Sequence, residues 1–552
     1  VIVKTLPDMD LRKTLQIAAP ALLALIVLNV GLAHHNIWPT LMVRATTELS
    51  LELVVLVTML ALLSAGGIRI GTRTQWLLSA LVLLFVVGRY VDVTAPALFG
   101  RRIDLYWDSQ HLPAIVGMAF ESRSPFFIAA ILIAVLSLFA ALLLIIRTSL
   151  AALCQAIARP AFRNIAIAVG ALLLSFYAAG MNSSALDWER RFAIPITPVY
   201  FEQASAIAAR ATGKHEPVEF ETASLPVFAE LNGNDVIVIF LESYGRIALD
   251  DEAYAEQTHA ALAELQKQLT GEGWQSRSAY LTPPTFGGAS WLSHSSFLAG
   301  RAIESHDLYQ TFLHSQNETL TDRFRKAGYR SVLLTPGIRG PWPEGLALRF
   351  DRIAAAKDVD YQGQGFGWWY VPDQYSLDWL ARSEINIPER APLFAMFPTI
   401  MSHFPFGPVP PYLDDWNALS SNEPFDAQAV EQTVALGDAF SGEPESAYLR
   451  VILYNLKTVS GFVAEHAPDD AIIIALGDHQ PPAAISGEGA EWDVPIHVFA
   501  RDANLLAPYE RSGFVEGIIP QGVSVHALNE LASLILEALE KPTASSRIAE
   551  VE

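Results

Sequence analysis

The sequence predicts a multi-pass α-helical membrane domain of five spans followed by an extracytoplasmic α/β domain with a mostly parallel central sheet. Three observations predict it. The 552-residue chain is 51% hydrophobic and only 17% charged, against ~25% charged for an average soluble chain. It nevertheless carries a net charge of −21, which a wholly intramembrane protein would hardly hold. The charge also divides along the chain: residues 1–181 contain 13 basic and 8 acidic side chains, a net +5, whereas the remainder contains 24 and 50, a net −26. An acidic second part lacks the basic face that nucleic acid requires, so that partner is excluded.

Five apolar stretches read as spans on length and composition: residues 14–33, 49–67, 76–93, 126–146 and 164–181. Lys4, Arg12 and Lys13 precede the first, Arg69 and Arg73 separate the second and third, and Arg147, Arg159 and Arg163 separate the last two. These bases fall on one side, which the positive-inside rule makes cytoplasmic. An odd number of spans then puts the N-terminus in the cytoplasm and everything beyond Met181 outside, as expected of a bacterial-type inner-membrane protein with a periplasmic or extracellular domain. No small-residue cleavage site follows the first stretch, so it reads as a span and not as a cleavable signal. The single cysteine, Cys154, falls in a predicted cytoplasmic loop, and the outer domain must therefore be stable without disulfides.

The expected organisation is a transmembrane domain over 1–182, a juxtamembrane linker over 183–232, a second domain over 233–545 and a tail over 546–552. Within the linker, residues 200–210 have helical periodicity, which suits either a helix resting on the bilayer surface or an ordinary connector. Beyond residue 232, continuous apolar runs at 235–241, 331–335, 392–397, 471–476 and 494–500 suit strands buried on both faces of a sheet. Helical segments at 253–270, 316–327, 445–466 and 524–540 alternate with them, which is the α/β pattern. Ligands of such sheets sit beyond the carboxyl ends of strands.

Chemistry-bearing residues gather at those ends. The first run closes on Leu241-Glu242-Ser243, where a carboxylate could ligate a hard cation or simply follow a strand. The run at 471–476 closes on Gly477-Asp478-His479, a carboxylate and imidazole side by side, suited to zinc or manganese or, alternatively, to an Asx turn beside a solvated histidine. A third block runs from Pro283 to Gly300: Gly287 and Gly288 permit a tight approach, Ser290 opens a helix, and His294 lies one turn later on the same face. Ser290 reads as a nucleophile or as an N-cap, with Thr282 and Thr285 as competing hydroxyls. A fourth block places His403 just beyond a strand, in Ser402-His403-Phe404-Pro405-Phe406. Arg339 and Trp342, in a Gly/Pro-rich loop after a strand, suit phosphodiester binding or a plain surface turn. Trp368, Trp369 and Tyr370 suit a sugar, the bilayer interface or a packed cluster.

Taken together, these blocks carry a resemblance. Ser290, Ser293, His294 and Phe297-Leu298-Ala299-Gly300 match in spacing the nucleophile segment of sulfatases, Cys/Ser-x-Pro-Ser-Arg followed by Leu-Thr-Gly. With the Glu242, His403 and Asp478-His479 blocks and five spans upstream, the chain resembles the membrane phosphotransferase branch of the alkaline phosphatase superfamily, which contains lipoteichoic acid synthases, phosphoglycerol transferases and phosphoethanolamine transferases. The resemblance implies that Glu242, Asp478, His479 and Ser290 hold one divalent metal, manganese first, with magnesium or zinc as alternatives. It implies Ser290 as the nucleophile and His403 as a substrate-site residue, and His294 would orient or activate Ser290. Ser290 replaces the threonine usual in these transferases. Leu292 and His294 replace the sulfatase proline and arginine, and a single Glu242 stands where sulfatases show paired aspartates, which favours phosphoryl transfer. The lack of cysteine in the outer domain leans towards phosphoglycerol.

The expected activity is metal-dependent transfer of phosphoglycerol or phosphoethanolamine from a membrane phospholipid to an extracytoplasmic glycan or lipid acceptor through a covalent Ser290 intermediate. The alternatives are a membrane-anchored sulfatase or phosphodiesterase and a non-catalytic envelope receptor or scaffold.

Overall fold

The computed structural model describes residues 11–120, 124–180, 191–212, 225–226, 230–340, 342–366, 370–404, 406–425 and 444–541. The chain forms two compact units, Val1–His215 and Glu216–Glu552.

In the first unit, helices occupy all five apolar stretches: α1 (Leu11–Ala33), α2 (Leu51–Ala65), α3 (Thr72–Phe99), then, beyond α4 (Leu105–Phe120), α5 (Pro125–Ile157) and α6 (Pro160–Gly180). Four of these, α1, α3, α5 and α6, are long and apolar enough to cross a membrane. By length, four of the five expected spans are full crossings, whereas the second stretch forms α2, whose 15 residues cover ~22 Å at 1.5 Å per residue, less than a ~30 Å hydrocarbon core. Its ends are set locally: Ser50 Oγ accepts from Leu53 N at 3.2 Å, and Gly66 closes the last turn. In the other direction α5 runs on to Ile157, so Cys154 lies on a helix and not in a loop. The helix α4 was not expected; Asp104 opens it by accepting from Tyr106 N and Trp107 N.

A seventh helix, α7 (Ile196–Ala211), covers the segment read as helical in the linker and is bound to the first unit by side chains. Glu52 Oε1 accepts from Ile196 N at 2.7 Å, Tyr200 Oη donates to Leu84 O at 2.6 Å, and Arg210 pairs with Asp104 at 3.3 Å. Gly88 lies directly beneath Tyr200, where a Cβ would come within 2.4 Å of the phenol oxygen.

The second unit is built on a nine-stranded sheet: β1 (Val236–Leu241), β2 (Gln275–Thr282), β3 (Arg330–Thr335), β4 (Arg352–Ala355), β5 (Leu393–Pro398), β6 (Ile472–Gly477), β7 (Val494–Ala500), β8 (Val515–Glu516) and β9 (His526–Ala527). Their order is β8-β2-β7-β6-β1-β5-β3-β4, with β9 also on β2. The block β6-β1-β5-β3-β4 is parallel, whereas the β6–β7, β7–β2 and β2–β8 pairs are antiparallel. With β9 parallel to β2, the sheet is mixed, five of its eight strand pairs being parallel and three antiparallel. Apolar runs mark buried strands but carry no direction, and β2, with Ser and Arg in alternation, does not read as such a run.

Successive residues of β1 face opposite layers, as the two-residue period of a strand requires. Ile237 and Ile239 pack with Leu262, Leu265 and Leu269 of α8 (Ala255–Gly271). Val236, Val238 and Phe240 pack with Phe297 of α9 (Ser290–Ala299), Phe324 of α10 (Leu320–Lys326) and the C-terminal helix. The first layer also takes α11 (Asp373–Leu380) and α12 (Pro444–Glu465), and the C-terminal helix is α13 (Leu531–Ala538). At the other end of the strands, buried Asp235 pairs with Arg390, accepts from Leu393 N at 2.7 Å, and its carbonyl accepts from Ile472 N at 2.8 Å. One residue thus fixes the register of β5, β1 and β6. Asp235→Ala removes the carboxylate partner of Arg390, which keeps its bonds to Ile385 O and Ala391 O, and leaves Leu393 N without its acceptor; a loss of about 3 kcal/mol is expected. A lowered unfolding midpoint of the full chain in detergent checks it.

Candidate metal and nucleophile centre

The site forms where β1 and β6, adjacent and parallel, end together. Leu241 is level with Gly477, so the next residues, Glu242 and Asp478, leave the sheet side by side. Two glycines allow the loops to close on each other. A Cβ on Gly477 would fall 1.9 Å from Tyr244 O, and one on Gly245 would fall 1.8 Å from Gln480 Oε1. Ser243 adopts a left-handed conformation with φ of 59°, a strained choice for a non-glycine residue. That turn aims its N–H at Asp478 Oδ1, 2.9 Å away, and Tyr448 Oη donates to its carbonyl at 3.0 Å.

The third contributor arrives on α9. Gly287, Gly288 and Ala289 all have positive φ, and Gly287 N donates to Gln480 O, which ties this turn to the Asp478 loop. Ala289 is the cap residue of α9, without a side-chain capping bond, and Ser290 is the first residue inside it. The N-cap alternative for Ser290 therefore fails. Its Oγ instead donates to Glu242 Oε2 at 2.8 Å and lies 3.0 Å from His479 Nε2. The competing hydroxyls are engaged elsewhere: Thr285 donates to Gly288 O, and Thr282 bonds Asp493 and Ser524.

Glu242, Asp478 and His479 are all buried and can each offer one ligand atom within 4.8 Å of the others. His479 Nδ1 donates to Gln480 O at 2.7 Å, which leaves Nε2 facing Glu242 Oε1 at 3.3 Å. Asp478 uses Oδ1 to accept from Ser243 N and His479 N, whereas Oδ2 is buried with no hydrogen-bond partner. An orphaned carboxylate oxygen beside a second carboxylate and an inward-facing imidazole nitrogen fits a divalent cation. The electrostatics agree. Burial and the neighbouring Glu242 push Asp478 up to about 8. Burial pulls His479 down, but Asp478 and Glu242 override it and raise the imidazole to about 9. Burial likewise opposes ionisation of Glu242, yet His479 and then His403 hold it well below the usual carboxylate range. Without a cation, a retained proton balances this cluster.

His294 lies on α9 with Nε2 3.9 Å from Asp478 Oδ2 and its ring 4.6 Å from Phe240. Burial lowers it to about 4, so it is neutral. Its described polar neighbour is thus Asp478 and not Ser290. His403 is half-buried after β5, its Nδ1 2.6 Å from Phe404 O, and its charge reaches Glu242. Arg339 lies over the Tyr370 ring at 5.6 Å. Trp342 packs against the layer containing α9 and covers Gly345. Trp368 and Trp369 fall outside the described residues.

Sequence reasoning missed the residues that seat the loop before His403. Thr399 Oγ1 accepts from Glu242 N at 3.0 Å, and Asn455 on α12 donates to Thr399 Oγ1 and to Ser402 Oγ at 3.2 and 2.7 Å. Asp373, the first residue of α11, accepts from Ile400 N and Met401 N at 2.9 and 3.0 Å. All four polar residues, Thr399, Ser402, Asn455 and Asp373, are buried. They come from three segments, and of the four only Ser402 stands in a block that the sequence marks.

The fold and site define a sheet-edge centre in which a helix-borne hydroxyl meets a buried carboxylate–imidazole group suited to a cation. The chain has likenesses among solved structures. Lipooligosaccharide phosphoethanolamine transferase A (EptA) of Neisseria meningitidis matches at TM-score 0.46 and 11% identity, over 85% of this chain and 84% of that one. The lipoteichoic acid synthase LtaP of Listeria monocytogenes matches at 0.36 and 15%, over 50% and 68%. The phosphoglycerol transferase GacH of Streptococcus pyogenes, in complex with sn-glycerol-1-phosphate, matches at 0.35 and 12%, over 64% and 84%. These likenesses are distant. No family model and no curated protein matches the chain.

Protons and a cation compete for Asp478 and His479. Since both lose their protons only near pH 8 to 9, cation affinity is expected to rise steeply from pH 6.5 to 9, by about tenfold per unit for each proton displaced. Calorimetric titration of the full chain with Mn²⁺ or Zn²⁺ across that range checks it.

Proposed function

We propose that the protein is a metal-dependent phosphotransferase that moves phosphoglycerol or phosphoethanolamine from a membrane phospholipid to a glycan or lipid acceptor through a covalent adduct on Ser290. The observation that carries this reading is the position of Ser290 Oγ, 2.8 Å from Glu242 and 3.0 Å from His479, a hydroxyl held inside the ligand group where a plain helix cap would point back to its own backbone. Glu242, Asp478, His479 and Ser290 would hold one divalent ion, manganese before magnesium or zinc. Bound there, it supplies Lewis-acid stabilisation of phosphoryl charge and a lowered hydroxyl pKa.

The chain's own groups do the rest. Glu242 orients Ser290 Oγ by accepting its hydrogen bond, and as Oγ bonds to the head-group phosphorus its proton is released to solvent. The bond from phosphorus to the diacylglycerol oxygen breaks, and that oxygen takes a proton from His403. The acceptor hydroxyl then loses its proton to His403 as it attacks the adduct, and Ser290 leaves and regains a proton from solvent. His294, kept neutral by burial, lines the site beside Asp478 and would orient Ser290 from one turn along α9. Arg339 and Trp342 would bind the donor's phosphodiester end. With α2 counted as a short fifth crossing, the basic loops of the first unit all fall on one side, which supports a cytoplasmic N-terminus and a catalytic unit on the outer side of a bacterial inner membrane. Hydrolysis of a phosphate or sulfate ester is the second reading, since water can replace the acceptor at the same adduct.

Ser290→Ala is expected to abolish transfer and any covalent adduct, a loss of at least 10³-fold, while cation binding weakens only modestly. Mass spectrometry of the Ser290 peptide after incubation with total lipids checks it, because the added mass names the donor group. Turnover of Ser290→Ala at the parent rate would exclude the scheme. Asp478→Ala is expected to lose the bound cation, read as metal content by elemental analysis; full retention would remove Asp478 from the ligand set.

A further inference from the structure

Within the first unit, α1, α2, α5 and α6 enclose a groove of about 540 Å³. Its walls are apolar: Leu25 of α1, Val57 of α2, Ala156 of α5 and Val169 of α6 are typical. The few polar side chains on it are already satisfied. Asn29 bonds Glu48 O and Ser50 N at 2.7 and 2.9 Å, Thr46 donates to Ala33 O at 2.7 Å, and Thr58 donates to Val54 O at 2.7 Å. Water would find no partners there, and an empty groove would forfeit the dispersion contacts of its lining.

The mouth is continuous with the membrane-facing surface. Ile26, Ile165 and Val169 line the groove and are at the same time exposed on α1 and α6, two of the helices fit to span a bilayer. The short α2 closes the floor against α6, where Gly170 lets the helices touch: a Cβ there would come within 2.0 Å of Thr58 Oγ1. Along α6 the lining runs from Phe162 to Leu173, ~16 Å at 1.5 Å per residue. One leaflet of a ~30 Å hydrocarbon core has about that depth.

We propose that this groove is a binding site for one acyl chain of a bilayer phospholipid. A chain entering sideways from the membrane covers the apolar walls, needs no polar partner and matches the groove in length. The site rests on the reading of these helices as membrane spans; only its link to turnover rests on the phosphotransferase reading.

The test uses the full chain reconstituted in phosphatidylethanolamine/phosphatidylglycerol vesicles containing a trace of phosphatidylethanolamine with a diazirine in one acyl chain. After photolysis, labelling is expected to concentrate on groove residues of α1, α2 and α6, at least fivefold above the exposed Ile131–Leu136 stretch of α5, which lies outside the groove. Val169→Trp, which fills the mouth, should reduce that labelling at least fivefold, whereas Leu172→Trp, exposed on α6 outside the lining, should leave it unchanged. Even labelling of groove and α5 surface, or groove labelling that survives Val169→Trp, would overturn the proposal. Turnover of soluble bis(p-nitrophenyl) phosphate separates the two readings. A parent protein inactive on both soluble and lipid donors, yet labelled in the groove, retains the acyl site and loses the phosphotransferase assignment. Val169→Trp with unchanged soluble turnover and a raised KM for the vesicle donor supports both.

Discussion

Everything at the candidate centre depends on the parallel pairing of β1 with β6 and on the close contact just past it, where Gly477 passes under the Tyr244 carbonyl. Parallel neighbours end at the same edge, so two loops must leave the sheet within one strand spacing of each other. With a side chain at 477 the loops would separate, and Ser243 N–H could no longer reach Asp478 Oδ1. The carboxylate would then lose the bond that turns Oδ2 inward. The strain at Ser243 is held in place by this same bond together with the Tyr448 hydroxyl from α12. Backbone geometry, more than the ligands' own side-chain preferences, assembles the group.

Much of this was legible in the chain because burial on both faces leaves continuous apolar runs. All five such runs are strands, and Glu242 and the Asp478-His479 pair stand immediately after two of them. The Gly287-Gly288 turn and Ser290 were legible for a related reason: a tight turn before a helix needs glycine. Other features left no local trace. Strand direction is decided by what connects the strands, so the antiparallel β7 looks like its parallel neighbours. The β2 strand opens on four polar residues, Gln275 to Ser278, and the run read over 49–67 includes turns that flank the 15 residues of α2. The Thr399–Asn455–Asp373 support is invisible for a different reason. Its members are ordinary polar residues, and only folding brings residues 373, 399 and 455 together.

The charge contrast with which the chain announces itself also resolves physically. Among the described residues, two of the acids that make up the net −26 beyond residue 181, Glu242 and Asp478, take part in the buried ligand group. They are far from ordinary surface carboxylates. One is held ionised by its histidine neighbours, and the other is pushed towards its protonated form. Two carboxyl groups placed this close cannot both ionise without a compensating positive charge. The histidine proton supplies that charge in the cation-free chain.

The N-terminus of α7 carries a last consequence. Its cap position is Pro195, which offers no side-chain bond, and the exposed N–H groups of Ile196 and Thr197 are satisfied by Glu52 from α2, more than 140 residues earlier. The helix that follows the spans is therefore completed by a residue near their beginning. One carboxylate thus ties together two helices that the sequence holds far apart, and α7 has its start seated on the same bundle that its side chains grip further along.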